Sequence, residues 1–252
     1  MYSCNRMPFC GGEPSRRKSL RATEKLALNL FLLRDPTQDN IMINKSIFSE
    51  ILIFSLILVF LILPPVIAPG VSAGEQIFTW TFPFRQTGLF VFAVVLFVLS
   101  KGLNTKKGFF YPGFFALTFM FFVALLIRFI TKNSVKEFDV ALPSGGLQWI
   151  FCVLTFLFSA VYEEVIYRFY FADALYRILG YTRFGDKKST LIICQTLALL
   201  AFAFAHLYLG ILAVINAALA HLVLTYLYKK TNFIWNCVLV HFLYNIISLI
   251  LL

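Results

Sequence analysis

Long apolar runs, separated by short polar breaks, dominate the chain. A membrane-spanning helix needs about 20 mostly apolar residues. Runs close to this length occur at residues 47–68, 86–100, 109–130, 147–172, 189–208, 210–228 and 232–252. The second run is the weakest, because Arg85 and Gln86 interrupt its start. The pattern predicts an all-α fold, a polytopic transmembrane helical bundle of about seven spans.

The composition supports a membrane protein. Of the 252 residues, 60% are hydrophobic and 13% are charged, and the mean hydropathy is +0.83. A soluble domain could not bury that much apolar surface. The formal net charge of +10 could indicate a nucleic-acid partner, but the basic residues are distributed among the breaks rather than gathered in one patch. We therefore expect a lipid bilayer as partner and no nucleic acid.

The basic residues also predict an orientation. With a cytoplasmic N-terminus, 17 of the 22 Lys and Arg residues fall on the cytoplasmic side. The positive-inside rule favours this arrangement. We expect an integral protein of a bacterial-type cell membrane, with its N-terminus cytoplasmic and its C-terminus outside.

Polar breaks divide the chain into three parts. Residues 1–46 form a polar tail that lacks the features of a signal peptide; a disordered tail is favoured over a basic amphipathic helix on the membrane. Residues 47–142 are predicted to be a three-helix scaffold. The turn-forming sequence PSGG precedes the predicted catalytic core at 147–252. Five cysteines without CxxC spacing are interpreted as packing residues.

Two adjacent carboxylates and an arginine stand in the apolar stretch VYEEVIYRFYF. A charged side chain at the centre of a membrane helix costs about 2.5 to 3.5 kcal/mol, which indicates a functional reason for keeping it. Glu164 and Arg168 are four residues apart, the spacing of a helical salt bridge. Glu163 is rotated by about 100° from Glu164 and can face another helix. An unpaired, desolvated carboxylate suits a general base, so we assign the chemistry to Glu163.

His206 is predicted to face Glu163 from the next helix. The turn between the two helices is centred near Gly185, which lies 22 residues after Glu163 and 21 before His206. If the fourth helix continues beyond residue 172, an antiparallel hairpin places the two side chains at nearly equal height.

The last helix contributes HFLYN, in which His241 and Asn245 share one helical face. Together they could donate hydrogen bonds to a developing oxyanion; two polar groups that bridge helices are the alternative. His221 has no motif around it, so we interpret it as structural and leave it out of the site.

Three motifs together resemble the CPBP family of membrane proteases, also called Abi, which includes CAAX proteases and bacteriocin-processing proteins. EEVIYR at 163–168 resembles EExxxR, FAFAH at 202–206 resembles FxxxH, and HFLYN at 241–245 resembles HxxxN. Each motif is weak alone, but all three occur in order on successive predicted helices. The resemblance covers roughly residues 147–252.

The resemblance implies an intramembrane endopeptidase that cleaves a membrane-associated peptide or protein near the membrane surface. Glu163 and His206 would activate a water molecule, and His241 and Asn245 would stabilise the tetrahedral intermediate. Three residues would have supporting roles: Glu164, Arg168 and Phe202.

Family members are commonly called metalloproteases, which raises the question of zinc. Glu163, His206 and His241 could supply three ligands and leave one position open, or could hold a water molecule without metal. The helical HExxH signature of many zinc proteases is absent from the sequence. No organic cofactor is expected.

Two other functions are compatible with the same residues. In a proton-coupled transporter, the glutamate and the two histidines would form a proton relay. A catalytically inactive family member could instead serve as an immunity or scaffold protein. The intact motifs favour the protease.

Overall fold

A computed structural model describes residues 47–63, 80–100, 111–130, 142–182 and 188–251. Within these ranges the protein is helical and has no strand, which confirms the all-α prediction. The predicted tail at 1–46 and the turn around Gly185 lie outside the described residues.

Eight α-helices follow one another along the described ranges. They are α1 (Ile47–Ile57), α2 (Phe84–Leu99), α3 (Tyr111–Ile130), α4 (Gly146–Glu163), α5 (Ala172–Gly180), α6 (Lys188–Phe204), α7 (Ile211–Thr231) and α8 (Ile234–Leu251). Two π-helical segments, Leu58–Ile62 and Glu164–Phe171, continue α1 and α4, and Leu207–Leu209 forms a 3₁₀ turn.

Four of the helical segments are long and apolar enough to cross a membrane: Tyr111–Ile130, Gly146–Gly180, Ile211–Thr231 and Ile234–Leu251. Three further apolar helices in the described ranges are shorter: Phe48–Ile62, Phe84–Leu99 and Lys188–Phe204. These seven segments correspond to the seven predicted runs. Arg85 and Gln86 do not interrupt the second one, because both lie in the first turn of α2.

The fifth predicted span, 189–208, was wrong at its C-terminal end, since α6 ends at Phe204. The chain then turns through Leu207–Leu209 and reaches Gly210, whose φ of 97° and ψ of 170° are accessible mainly to glycine. Apolar composition continues through this turn, which explains why the hydrophobic run overestimated the helix. The turn places His206 just beyond the end of α6.

The fourth span is one continuous helical segment of 35 residues, from Gly146 to Gly180. Its central part, Glu164–Phe171, has π-helical geometry, in which backbone hydrogen bonds run from i to i+5. This part coincides with the motif EEVIYR, and π-helical turns occur frequently at functional sites. The continuation beyond residue 172 is the condition that the predicted hairpin geometry required.

Packing joins the scaffold helices to the core helices. Helix α2 runs alongside α4 and parallel to it, with ring contacts between Phe90 and Phe158 at 4.6 Å and between Phe97 and Phe169 at 4.9 Å. Helix α3 packs against α7 and α8; a side chain at Gly113 would lie only 3.1 Å from Val240 Cγ2. The described helices therefore form one bundle around the motif-bearing segment.

Candidate active site

Glu163 lies between two imidazole rings that come from different parts of the chain. Its Oε2 atom is 3.8 Å from His206 Nε2 and 3.7 Å from His241 Nε2. The prediction that Glu163 and His206 lie at the same height is confirmed by the first distance. Oε2 is buried and has no hydrogen-bond partner among the described residues, although 21% of the Glu163 side chain is exposed. The three groups thus converge on one small region that remains accessible.

Both distances are too long for direct hydrogen bonds, which require about 2.7 to 3.2 Å. Polar groups more than about 3.5 Å apart can instead share a bridging water molecule. Glu163 can therefore hold a water molecule jointly with either ring.

The proton of His206 is fixed by the backbone of α6, which ends two residues before it. His206 Nδ1 lies 2.9 Å from the Phe202 carbonyl oxygen, and a carbonyl can only accept a hydrogen bond. Nδ1 therefore carries the proton, and in the neutral ring Nε2 presents a lone pair to Glu163. The four-residue spacing of FxxxH produces this contact, because residues i and i+4 meet along a helix.

Glu164 orients His241, a contact that the sequence did not predict. His241 Nδ1 donates a hydrogen bond to Glu164 Oε1 at 2.8 Å, while Glu164 Oε2 forms the predicted ion pair with Arg168. Glu164 is fully buried. Neutral His241 therefore also directs the lone pair of Nε2 toward Glu163, and it can donate from Nε2 only as an imidazolium.

His221 contacts Arg168, the arginine that pairs with Glu164, rather than Glu163. It is buried, and Arg168 Nη2 lies 3.4 Å from His221 Nδ1 and 3.3 Å from the His221 carbonyl oxygen. Arginine has only donors, so both His221 atoms accept. The interpretation of His221 as structural agrees with these contacts, and its main polar partner is the motif arginine.

The ring of Phe202 contacts all three histidines. Its centroid lies 4.8 Å from that of His206, 5.1 Å from His221 and 6.2 Å from His241. The Tyr167 ring packs edge-on against it at 5.4 Å. Phe202 is 3% exposed, so this aromatic contact fixes the imidazoles relative to one another.

Asn245 lies one helical turn after His241 on α8 and is partly buried. Among the described residues it forms no hydrogen bond or ion pair, which leaves its amide donors free. Its predicted role, a hydrogen bond to the oxyanion of the tetrahedral intermediate, stays a prediction.

The predicted zinc ligands are close together in pairs. Two ligands that each lie about 2.1 Å from one ion are at most about 4.2 Å apart, and both Glu163–imidazole distances satisfy this limit. Both Nδ1 atoms also have the outer hydrogen-bond acceptors that metal-binding histidines use. Among the described residues, however, no group of three or more His, Cys, Asp or Glu is arranged as a metal-binding cluster.

Comparison with known families points to the part of the chain that holds the three motifs. The family model described as type II CAAX prenyl endopeptidase Rce1-like matches residues 145–247. This segment is similar to the Rce1-like family. The resemblance inferred from the three motifs is thereby confirmed for the segment that holds them, which is less than half of the chain. No curated protein and no solved structure is significantly similar to the chain.

The Rce1-like match indicates a protease, and the apolar helices indicate an integral membrane protein. The matched segment begins one residue before α4 and ends within α8. It therefore includes Glu163, His206 and His241. Helices α1 to α3 lie outside the match, although α2 packs directly on α4.

Proposed function

We propose that the protein is an intramembrane endopeptidase that hydrolyses a peptide bond near the membrane surface. The observation that carries the proposal is the convergence of Glu163 Oε2 with the Nε2 atoms of His206 and His241, at 3.8 and 3.7 Å. Hydrolysis needs a positioned water molecule and a base beside it. These three groups can supply both.

In the first step Glu163 removes a proton from the water molecule. The oxygen of that water forms a bond to the carbonyl carbon of the scissile peptide, and the carbonyl π electrons move onto its oxygen. The lone pair of His206 Nε2 accepts the second hydrogen of the water, which orients it. In the second step the protonated Glu163 returns its proton to the departing amine nitrogen as the C–N bond breaks.

Negative charge on the tetrahedral intermediate requires hydrogen-bond donors. Asn245 lies on the same face of α8 as His241, and its side-chain amide has no partner in the described part of the chain. His241 adds a second donor when its ring is protonated. We assign the stabilisation of the oxyanion to Asn245 and His241.

The two glutamates have different roles because their surroundings differ. Glu164 already binds His241 and Arg168, so its oxygens are occupied. Among the described residues, Glu163 Oε2 forms no ion pair with an arginine or lysine and faces the two imidazoles at 3.8 and 3.7 Å. Glu163 is therefore the base, and Glu164 is a positioning residue.

Metal dependence stays a proposal. Glu163, His206 and His241 are the residues that would hold Zn²⁺, which would supply Lewis-acid polarisation of the substrate carbonyl. The steps above depend only on the protein's own side chains.

The family match and the membrane helices support a membrane-associated substrate. We propose a membrane-associated peptide or protein of the CAAX type, with a lipidated cysteine three residues before a free C-terminus. The lipid would keep the substrate in the bilayer while the peptide reaches Glu163.

The deciding experiment measures cleavage of a farnesylated reporter peptide by the purified protein in liposomes. Glu163→Gln should lower the rate by about 100-fold or more, because a general base contributes about 10²- to 10⁴-fold. The matched control is Glu50→Gln, which removes a carboxylate that pairs with Arg177 on α5 and should keep most activity. Cleavage by Glu163→Gln at the wild-type rate would overturn the mechanism. Proton flux without any cleavage would favour the transporter.

A further inference from the structure

The residue directly before Glu163 contacts the first helical segment of the described chain. The Tyr162 hydroxyl donates a hydrogen bond of 3.5 Å to the carbonyl oxygen of Leu61, across 101 positions of the chain. Leu61 belongs to the π-helical segment that continues α1, and Tyr162 is buried. The proposed mechanism does not use this contact, and the family match does not include α1.

The sequence deprives the Leu61 carbonyl of its ordinary helical donors. In an α-helix this oxygen accepts from the N–H at i+4, and in a 3₁₀ turn from the N–H at i+3. These two positions hold Pro65 and Pro64, and proline has no backbone N–H. Within a bilayer no water replaces a missing donor. The Tyr162 hydroxyl therefore supplies a donor that neither proline can provide.

Two further contacts hold α1 against the same stretch of the chain. The Phe54 and Phe171 rings lie 5.2 Å apart, and Glu50 forms an ion pair with Arg177 on α5. The partners in these contacts come eight and fourteen residues after Glu163. The hydroxyl contact is thus the one of the three that lies next to the proposed base, and α1 remains anchored elsewhere when the hydroxyl is removed.

Tyr162 and Glu163 hold one helical turn from two sides. Consecutive residues of a helix are rotated by about 100°, so the two side chains leave α4 in different directions. Glu163 Oε2 faces the imidazoles of His206 and His241 at 3.8 and 3.7 Å, while Tyr162 reaches Leu61. Rotation of the turn would move both side chains together. Fixing the Tyr162 hydroxyl therefore also fixes the direction of the Glu163 carboxylate.

We propose that Tyr162 is a positioning residue, which ties the turn that carries Glu163 to the Leu61 carbonyl and so holds the base at its distance from the two imidazoles. This role rests on the proposed endopeptidase function. It makes the first helix, which lies outside the family match, part of the catalytic unit. A misplacement of about 1 Å can cost about 100-fold in rate. Because 3.5 Å is long for an O–H···O hydrogen bond, we expect a smaller effect of about 10-fold.

The test measures kcat and KM for the farnesylated reporter peptide with the full-length protein in liposomes, at equal folded fractions. Tyr162→Phe removes the hydroxyl and keeps the ring. It should lower kcat by about 10-fold and leave KM within about 2-fold of wild type, because a displaced base weakens the transition state and not the binding of the peptide.

Two controls separate positioning from stability. Tyr170→Phe removes the hydroxyl of another buried tyrosine in the Glu164–Phe171 segment and should keep the wild-type kcat. Glu50→Gln removes the ion pair between α1 and Arg177; it should lower the unfolding temperature and keep most of kcat.

Three results would overturn the role of Tyr162 and leave the endopeptidase function standing. They are a wild-type kcat in Tyr162→Phe, a rise in its KM at constant kcat, and an equal fall of kcat in Tyr170→Phe or Glu50→Gln. Failure of the wild type to cleave the reporter would overturn the proposed function, and the role of Tyr162 with it.

Discussion

Glu164 and His241 are joined by a 2.8 Å hydrogen bond across 77 positions of the chain. The other oxygen of Glu164 pairs with Arg168, so one buried carboxylate both orients a reactive ring and neutralises a buried cation. Outer acceptors of this kind fix the tautomer and the direction of an imidazole. Stability and activity therefore depend on the same carboxylate through different partners.

These two dependences can be separated by mutation. Glu164→Gln leaves the buried Arg168 without its counter-ion and should lower the free energy of unfolding by about 3 to 5 kcal/mol. The double variant Glu164→Gln/Arg168→Gln removes both charges and should recover much of that loss. Its kcat/KM should stay at least about 10-fold below wild type, because a neutral amide accepts a weaker hydrogen bond from His241 Nδ1 than a carboxylate does and orients the ring less firmly. Unfolding in detergent and peptide cleavage measure the two effects, and wild-type activity in the double variant would contradict the positioning role.

His221 and His241 provide a contrast between two buried histidines. His241→Gln should lower kcat/KM by about 100-fold or more, because this ring contacts the reacting groups. His221→Gln should cost about 1 to 3 kcal/mol of stability, because Arg168 loses one acceptor, and should keep kcat/KM within several-fold of wild type once the folded fraction is matched. A larger loss of activity in His221→Gln than in His241→Gln would invert the assignment.

Phe202 is predicted to act through the rings that it contacts. Phe202→Leu keeps an apolar side chain but removes the flat surface between His206 and His241. We expect kcat to fall by about 10- to 100-fold with KM nearly unchanged, because small displacements of catalytic groups have effects of this size. A rise in KM at constant kcat would show instead that Phe202 binds the substrate.

The zinc proposal makes its own prediction about metal content. Purified wild-type protein should contain about one Zn²⁺ per chain, and His206→Ala and His241→Ala should lose it, since each removes one of three ligands. Elemental analysis measures this independently of activity. Wild-type protein that is fully active and metal-free would show that the side chains act on water alone.

Helical periodicity and residue counting predicted those parts of the site that depend on local geometry. Counting from Gly185 placed Glu163 opposite His206, and the four-residue spacing predicted the pair of Glu164 with Arg168. Both contacts are present. They follow from the rise per residue and from the meeting of residues i and i+4, which any regular helix provides.

The contacts that the sequence did not predict depend on how helices rotate and end. The hydrogen bond from His241 to Glu164 requires the π-helical turn at Glu164 and the rotation of α8, and neither leaves a signature in hydrophobic pattern. The end of α6 at Phe204 lies within a continuous apolar run, because lipid-facing helices and the turn have the same composition. Arg85 was interpreted as an interruption of the second run, whereas it lies in the first turn of α2.

Gly210 follows the turn Leu207–Leu209, which begins directly after His206. Its substitution should therefore show whether the backbone of this turn holds His206 in its catalytic position. At φ 97° and ψ 170°, an alanine would be strained by about 1 to 3 kcal/mol, although its Cβ would meet no atom within 4 Å. Gly210→Ala should therefore destabilise the protein through the backbone and displace His206, lowering kcat/KM by at least about 10-fold. The matched control is Gly88→Ala in α2, where the Cβ also has open space and alanine should stabilise the helix by about 1 kcal/mol. If both variants unfold and cleave like the wild type, the backbone at Gly210 does not hold His206 in place.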